Sequence, residues 1–377
     1  MNPRVLQIPG SLIRQIAAKR RPTSINLGLG EPTLSPTRAH LDAAVDYVAR
    51  HGLRYSPNAG DPALRDAIAG YYAYPEMDRG ANVCVTVGSQ EAMYVTIKTL
   101  LDPAKDELLV VEPAFPSYVK MARLEGVDVR TVAMSDAKDF AFDASRIAAA
   151  IGKRTRAVLI CSPCNPTGRI MRGQQGELLV KVLSERAGRP IWLIHDEIYR
   201  EQTFVDDAVE FARIYPHTIV TNSVSKSNAL TGLRLGWIIG PQQFVDQAIK
   251  THAWITSCAD TFAQAVALNI FQTPGAIAEH AEWYRRQRDG VRTILDAGGL
   301  RALPIDGSFY ACVQLPPGVV SVDAAVALIE KSDVLTIPGS VFGTCFEGWL
   351  RLSWVAPLEQ VHEGVARIAE FCRIATL

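Results

Sequence analysis

From residue 82 onward, short apolar runs alternate with stretches whose apolar positions recur every three or four residues. Residues 82–87, 107–111, 156–161, 191–196, 218–224 and 233–239 read as strands, rich in Val, Ile and Leu. Between them, 90–101, 118–124 and 176–186 carry helical spacing. Strands that are apolar throughout, not on alternate positions, are covered on both faces. The pattern therefore predicts an α/β fold: a mostly parallel sheet with helices on each side. After Gln242 the texture turns helical, over 245–256, 262–271 and 277–296. From Gly307 short strands (308–313, 349–354) mix with helices (322–331, 358–371), the texture of a smaller α+β domain. The change of domain falls within 274–282.

Composition adds exclusions. At 377 residues and 48% hydrophobic, the chain can bury a large core and a smaller one. Lys plus Arg (39) balances Asp plus Glu (39), which argues against nucleic acid or an anionic membrane as main partner. No apolar run approaches a membrane span, so a soluble, cytoplasmic protein is expected. Seven scattered cysteines read as reduced thiols. Cys161-Ser-Pro-Cys164 has CxxC spacing but no second Cys or His pair, so it reads as packing and no metal is expected. Arg4, Arg14, Lys19, Arg20 and Arg21 precede the first acid, Glu31, a bias that fits an amphipathic arm or a transit segment.

The chemistry concentrates in Ser223-Val-Ser-Lys-Ser-Asn-Ala-Leu-Thr-Gly-Leu-Arg-Leu-Gly236. A lysine that condenses with an aldehyde must be neutral, whereas a free one has a pKa of about 10.4. Burial and a neighbouring cation such as Arg234 would lower it. Arg234 can also grip a phosphate bidentately, with Ser223 donating to another oxygen. An aldehyde and a phosphate on one ligand describe pyridoxal 5'-phosphate. The strand ending at Val87 turns at Gly88 and opens a helix, which aims the amides of Ser89 and Gln90 at an anion.

Asn165-Pro-Thr-Gly168, His195-Asp-Glu-Ile-Tyr199 and Lys226 each follow or end a strand. With Tyr55-Ser-Pro-Asn-Ala-Gly60, Gly88-Ser-Gln-Glu-Ala92 and Arg351, their order resembles the class I/II aminotransferases, fold type I enzymes of pyridoxal phosphate, from about Leu27 to the last helix. The resemblance implies that residues 1–40 form an arm and part of the small domain, 41–275 the large cofactor-binding domain, and 276–377 the rest of the small one. It implies that Lys226 carries the cofactor and moves the substrate's Cα proton, acting as base and then acid. Asp196 would keep the pyridine nitrogen protonated, and Asn165 and Tyr199 would bond the phenolic oxygen. Phe115 would stack on the ring, and Ser89, Gln90, Ser223 and Arg234 would hold the phosphate. Arg351, with Gly30 and Asn165, would take the substrate's α-carboxylate. Tyr55 would reach the phosphate of a second subunit, making a homodimer.

The implied reaction moves an amino group between an amino acid and a 2-keto acid. The same residues also serve β-lyases, cyclising synthases and oxidative reactions, since the cofactor supplies the hard chemistry. A cofactor-sensing regulator is a third possibility, and the 26 residues before Leu27 are few for a DNA-binding domain. His195 reads as a satisfied strand-end histidine. Phe115, Leu29 and Trp254 favour an apolar substrate side chain, whereas a dicarboxylate would call for a second arginine that the sequence alone does not single out.

Overall fold

The computed structural model describes residues 1–34, 37–75, 77–135 and 139–375. A seven-stranded sheet runs in the order Val83–Thr86, Gly236–Ile239, Thr218–Ser223, Trp192–Asp196, Thr155–Cys161, Glu107–Glu112, Asp128–Ala133. All neighbours are parallel except around Gly236–Ile239, which runs antiparallel to both of its partners. Val83–Thr86, Trp192–Asp196 and Thr218–Ser223 are buried along nearly their whole length, as expected of strands covered twice. The helices Gly88–Leu100, Gly173–Glu185 and Gln242–Ile255 supply part of that cover.

The predicted elements are present, with ends moved by a few residues. The largest difference is at 233–239. Only Gly236–Ile239 is strand; Thr231–Leu233 forms a 3-10 turn, and Arg234 adopts φ +55°. The chain must reverse there before entering the sheet antiparallel, and the left-handed residue makes that turn.

The later part of the chain forms a three-stranded antiparallel sheet of Ile337–Pro338, Trp349–Ser353 and Tyr310–Gln314. The N-terminal segment forms a separate two-stranded sheet with this part of the chain: Ile25–Asn26 pairs in parallel with Val334–Leu335. The long helix Ala276–Ala297 packs on Leu358–Ile374. Two short helices, Pro3–Gln7 and Leu12–Ala17, precede these elements. Each is capped by its preceding side chain, Asn2 and Ser11. Among the described residues no helix is long and apolar enough to cross a membrane.

Candidate active site

The carboxyl ends of the parallel strands converge on one cleft of about 660 Å³. Lys226 lies three residues beyond Thr218–Ser223, on the one-turn helix Val224–Ser227. Its Nζ donates to the carbonyl of Gly30 at 2.7 Å and lies 5.7 Å from the Phe309 ring centre. Burial lowers its pKa from the ordinary lysine value to about 8. The nearby carboxylate of Glu31 opposes that shift, while Arg351 and Arg234 add to it.

Asp196 ends its strand buried. Its carboxylate accepts from the Tyr118 hydroxyl, from the amide of Ile198 at 3.2 Å and from Thr221 Oγ1 at 3.2 Å. Burial pushes this carboxyl up, against those three donors. Next to it, His195 Nε2 lies 3.1 Å from the Ser162 carbonyl and Nδ1 lies 3.0 Å from Glu197, a buried core histidine outside the cleft. Burial would raise Glu197, but His195 and Arg200 hold it below the usual carboxylate range.

Arg351 is buried on Trp349–Ser353. Its Nη1 donates to Asn165 Oδ1 at 3.0 Å and its Nη2 to the Gly28 carbonyl, while Nε has no partner. The guanidinium lies 4.2 Å from the Tyr310 ring centre and 5.0 Å from that of Phe342. Phe342 ends the short 3-10 turn Gly339–Phe342. Asn165 Nδ2 donates to the Tyr199 hydroxyl at 3.5 Å, and that hydroxyl lies 3.2 Å from the Tyr310 hydroxyl. Gly30 passes so close that a Cβ there would lie 2.1 Å from the Tyr310 hydroxyl.

An anion cradle forms at the other end of the cleft. Gly88 turns at φ +74° into the helix Gly88–Leu100, whose first turn has no side-chain cap. A Cβ on Gly88 would lie 2.5 Å from Arg234 Nη2, so the glycine lets the guanidinium close over the helix N-terminus. Ser89, Gln90 and Arg234 all face the cleft, and Phe115 forms part of its wall.

One expected phosphate ligand is placed otherwise. Ser223 lies beneath the cleft, with its hydroxyl donating to Leu235 O at 2.5 Å and accepting from the amide of Ser225 at 3.0 Å. It caps the lysine's turn, and Ser225 lines the cleft instead. Tyr55 is 89% exposed and outside its own chain's cleft, as is Trp254 at 92%. The structure adds cleft residues that the sequence reading passed over: Tyr118, Tyr310, Ser225, Glu31, and, from the N-terminal arm, Arg14 with Lys120 nearby. Cys161 and Cys164 are buried, donating to the carbonyls of Pro163 at 3.3 Å and Pro113 at 3.5 Å, with burial pushing both thiols up.

The family model for aminotransferase class I and II matches residues 22–368. An aspartate/prephenate aminotransferase of Thermus thermophilus is 32% identical over 92% of this chain and 90% of its own. An aspartate aminotransferase of Pyrococcus horikoshii is 29% identical over 97% and 95%. The solved aspartate aminotransferase from Thermus thermophilus with maleate superposes at TM-score 0.91, with 29% identity over 98% of this chain and 99% of that one. With the lysine, the buried carboxylate, the arginine and the anion cradle gathered at the strand ends, the chain belongs to the class I and II aminotransferases.

Proposed function

We propose that this aminotransferase binds pyridoxal 5'-phosphate in the 660 Å³ cleft and uses Lys226 to exchange an amino group between an amino acid and a 2-keto acid. The observation that carries the reading is the convergence of Lys226 Nζ, the Asp196 carboxylate and the Gly88–Arg234 anion cradle on one space. The donor set fits the cofactor. Helix amides and Arg234 suit a phosphate, a buried carboxylate with no cation bonded to it suits a protonated ring nitrogen, and Phe115 offers a flat apolar face. Asn165 and Tyr199 supply donors for its phenolic oxygen, and Ser223 acts through Ser225. When bound, the cofactor supplies the electron sink for charge left on the substrate's Cα.

The chain's own residues do the rest. Arg351 takes the α-carboxylate, with Asn165 holding Nη1 in place and Nε free to donate. Burial lowers Lys226 to about 8, so its neutral form is accessible near neutral pH and Nζ can accept the Cα proton and afterwards act as the acid that gives it back. Asp196, fixed by three donors, would offer its carboxylate to a protonated ring nitrogen. Phe309, Phe342 and Tyr310 exclude water around Arg351 and Lys226.

Arg14 and Lys120 leave positive charge in the cleft beyond Arg351 and Arg234, which favours a substrate with a second carboxylate. The aspartate named for several relatives supports the same class. The working unit on this reading is a cytoplasmic homodimer. Exposed Leu53, Tyr55, Trp254 and Ile255 form its contact surface, and Asn58 Nδ2 donating to Ser257 O at 2.7 Å ties the two segments together.

The test is a single-turnover absorbance scan of the cofactor-loaded protein against a panel of amino acids, with no keto acid added. Stoichiometric keto acid without ammonia, fastest with aspartate or glutamate, is expected. Continuing release of ammonia or a cyclised product would refute transfer, and a K226A variant with normal turnover would refute the role of the lysine.

A further inference from the structure

Lys226 sits on a helix of only four residues, Val224–Ser227, too short to hold its own carbonyls. The Lys226 carbonyl instead accepts two side-chain donors from distant parts of the chain. Gln202 Nε2 reaches it at 3.1 Å and the Tyr284 hydroxyl at 3.0 Å. Both donors are fully buried, at 0% exposure. Gln202 follows the Asp196–Tyr199 stretch, whereas Tyr284 stands on the long helix Ala276–Ala297.

Tyr284 also reaches the other end of the same lysine. Its ring stacks on Phe309, 5.9 Å between centres at 21°, and Phe309 is the ring beside Lys226 Nζ. One tyrosine thus pins the backbone at its hydroxyl and supports the wall against which the amine lies. Burial pushes the phenol far above its ordinary value, so it stays a donor through the working pH range.

The torsions along a lysine side chain can all move its amine, and reacting groups must be held to within about 0.5 Å. Freedom at the Cα is multiplied along the side chain. We propose that Tyr284, assisted by Gln202, is a positioning residue for Lys226, fixing its carbonyl and the Phe309 wall so that Nζ stays aligned for proton transfer. The proposal rests on the assignment of Lys226 above.

Y284F keeps the stacked ring and removes only the donor. In the cofactor-loaded protein, kcat should fall roughly five- to tenfold, the equivalent of one hydrogen bond, with KM within about twofold. The pH midpoint of the visible absorption band should move by about half a unit or more, because the amine's surroundings change. Q202L should act in the same direction. Y284F/Q202L, which leaves the carbonyl without a donor, should lose roughly 50-fold or more. A purely structural role would lower the melting temperature without moving the absorption midpoint, and that result overturns the proposal. So does an unchanged kcat in the double variant. K226A run alongside separates the two readings: turnover without the lysine defeats the assignment of Lys226, whereas a dead K226A with unaffected Y284F and Q202L defeats only the anchor.

Discussion

Gly30→Ala probes the tightest point of the cleft. The new methyl would lie 2.1 Å from the Tyr310 hydroxyl and 3.0 Å from Phe309 Cε2. The Tyr310 ring has little room to retreat, with the Arg351 guanidinium 4.2 Å from its centre and its hydroxyl against Tyr199 at 3.2 Å. Overpacking of a filled core costs about 1–3 kcal/mol, and the stiffness of this contact places G30A near the upper end. Y310F removes the atom that the methyl strikes, at a cost of about 1 kcal/mol for the lost bond to Tyr199. The next ring atom, Cζ, then stands at 3.0 Å, so relief is partial. The double variant should therefore be more stable than the sum of the singles by roughly 1 kcal/mol. Urea unfolding of the four cofactor-free proteins, followed by tryptophan fluorescence, measures that coupling. Additivity within about 0.5 kcal/mol would refute the reasoning, because it would mean that Tyr310 does not set the need for glycine.

Arg351→Lys keeps the charge and loses the fork, so KM for the amino acid should rise roughly 10- to 100-fold with a smaller change in kcat, read by steady-state kinetics. Asp196→Asn should cut kcat roughly 100-fold or more while the variant still folds, as circular dichroism would show. Lys226 is depressed from 10.5 to about 8 in the fold, so between those values the unfolded chain binds more protons. Its burial therefore costs stability below pH 8, and the cost fades as pH rises toward 10.5. K226M should be more stable than the parent at pH 7, with the gap closing by pH 10 in urea unfolding of cofactor-free protein; a gap independent of pH contradicts this. Trp254→Glu should convert a dimer to monomers in sedimentation, and an unchanged sedimentation profile removes that residue from the contact.

The sequence was most legible where burial on two faces leaves apolar runs, as in Thr155–Cys161 and the middle of Glu107–Glu112. It was least legible at the sheet edge. Asp128–Ala133 is half exposed and carries Asp128, Arg130 and Thr131, so no apolar run announces it. The helix Pro62–Tyr72 did leave a local signal, Asp61 capping with Pro62 at the first position, which a closer reading of turns would have found. Motif residues at strand ends were readable because the strand fixes where they point. Tyr118 was not, because its helical position looks apolar and its bond to Asp196 spans 78 residues. Ser223 and Ser225 differ by a strand end, and only the observed cap decides which of them lines the cleft.

The anion cradle lies at one edge of the sheet. Val83–Thr86 is an edge strand with a single partner, and that partner, Gly236–Ile239, is the one antiparallel strand. Gly88 and Arg234 flank those two strands and meet only when they pair. A phosphate gripped there would act as a rivet across an edge seam of the sheet, favouring the zipped edge by mass action. Cofactor capture would then double as an inspection step in the life of the chain. Molecules with a frayed edge would remain empty, and loaded ones would resist opening at the point where an exposed strand invites aggregation.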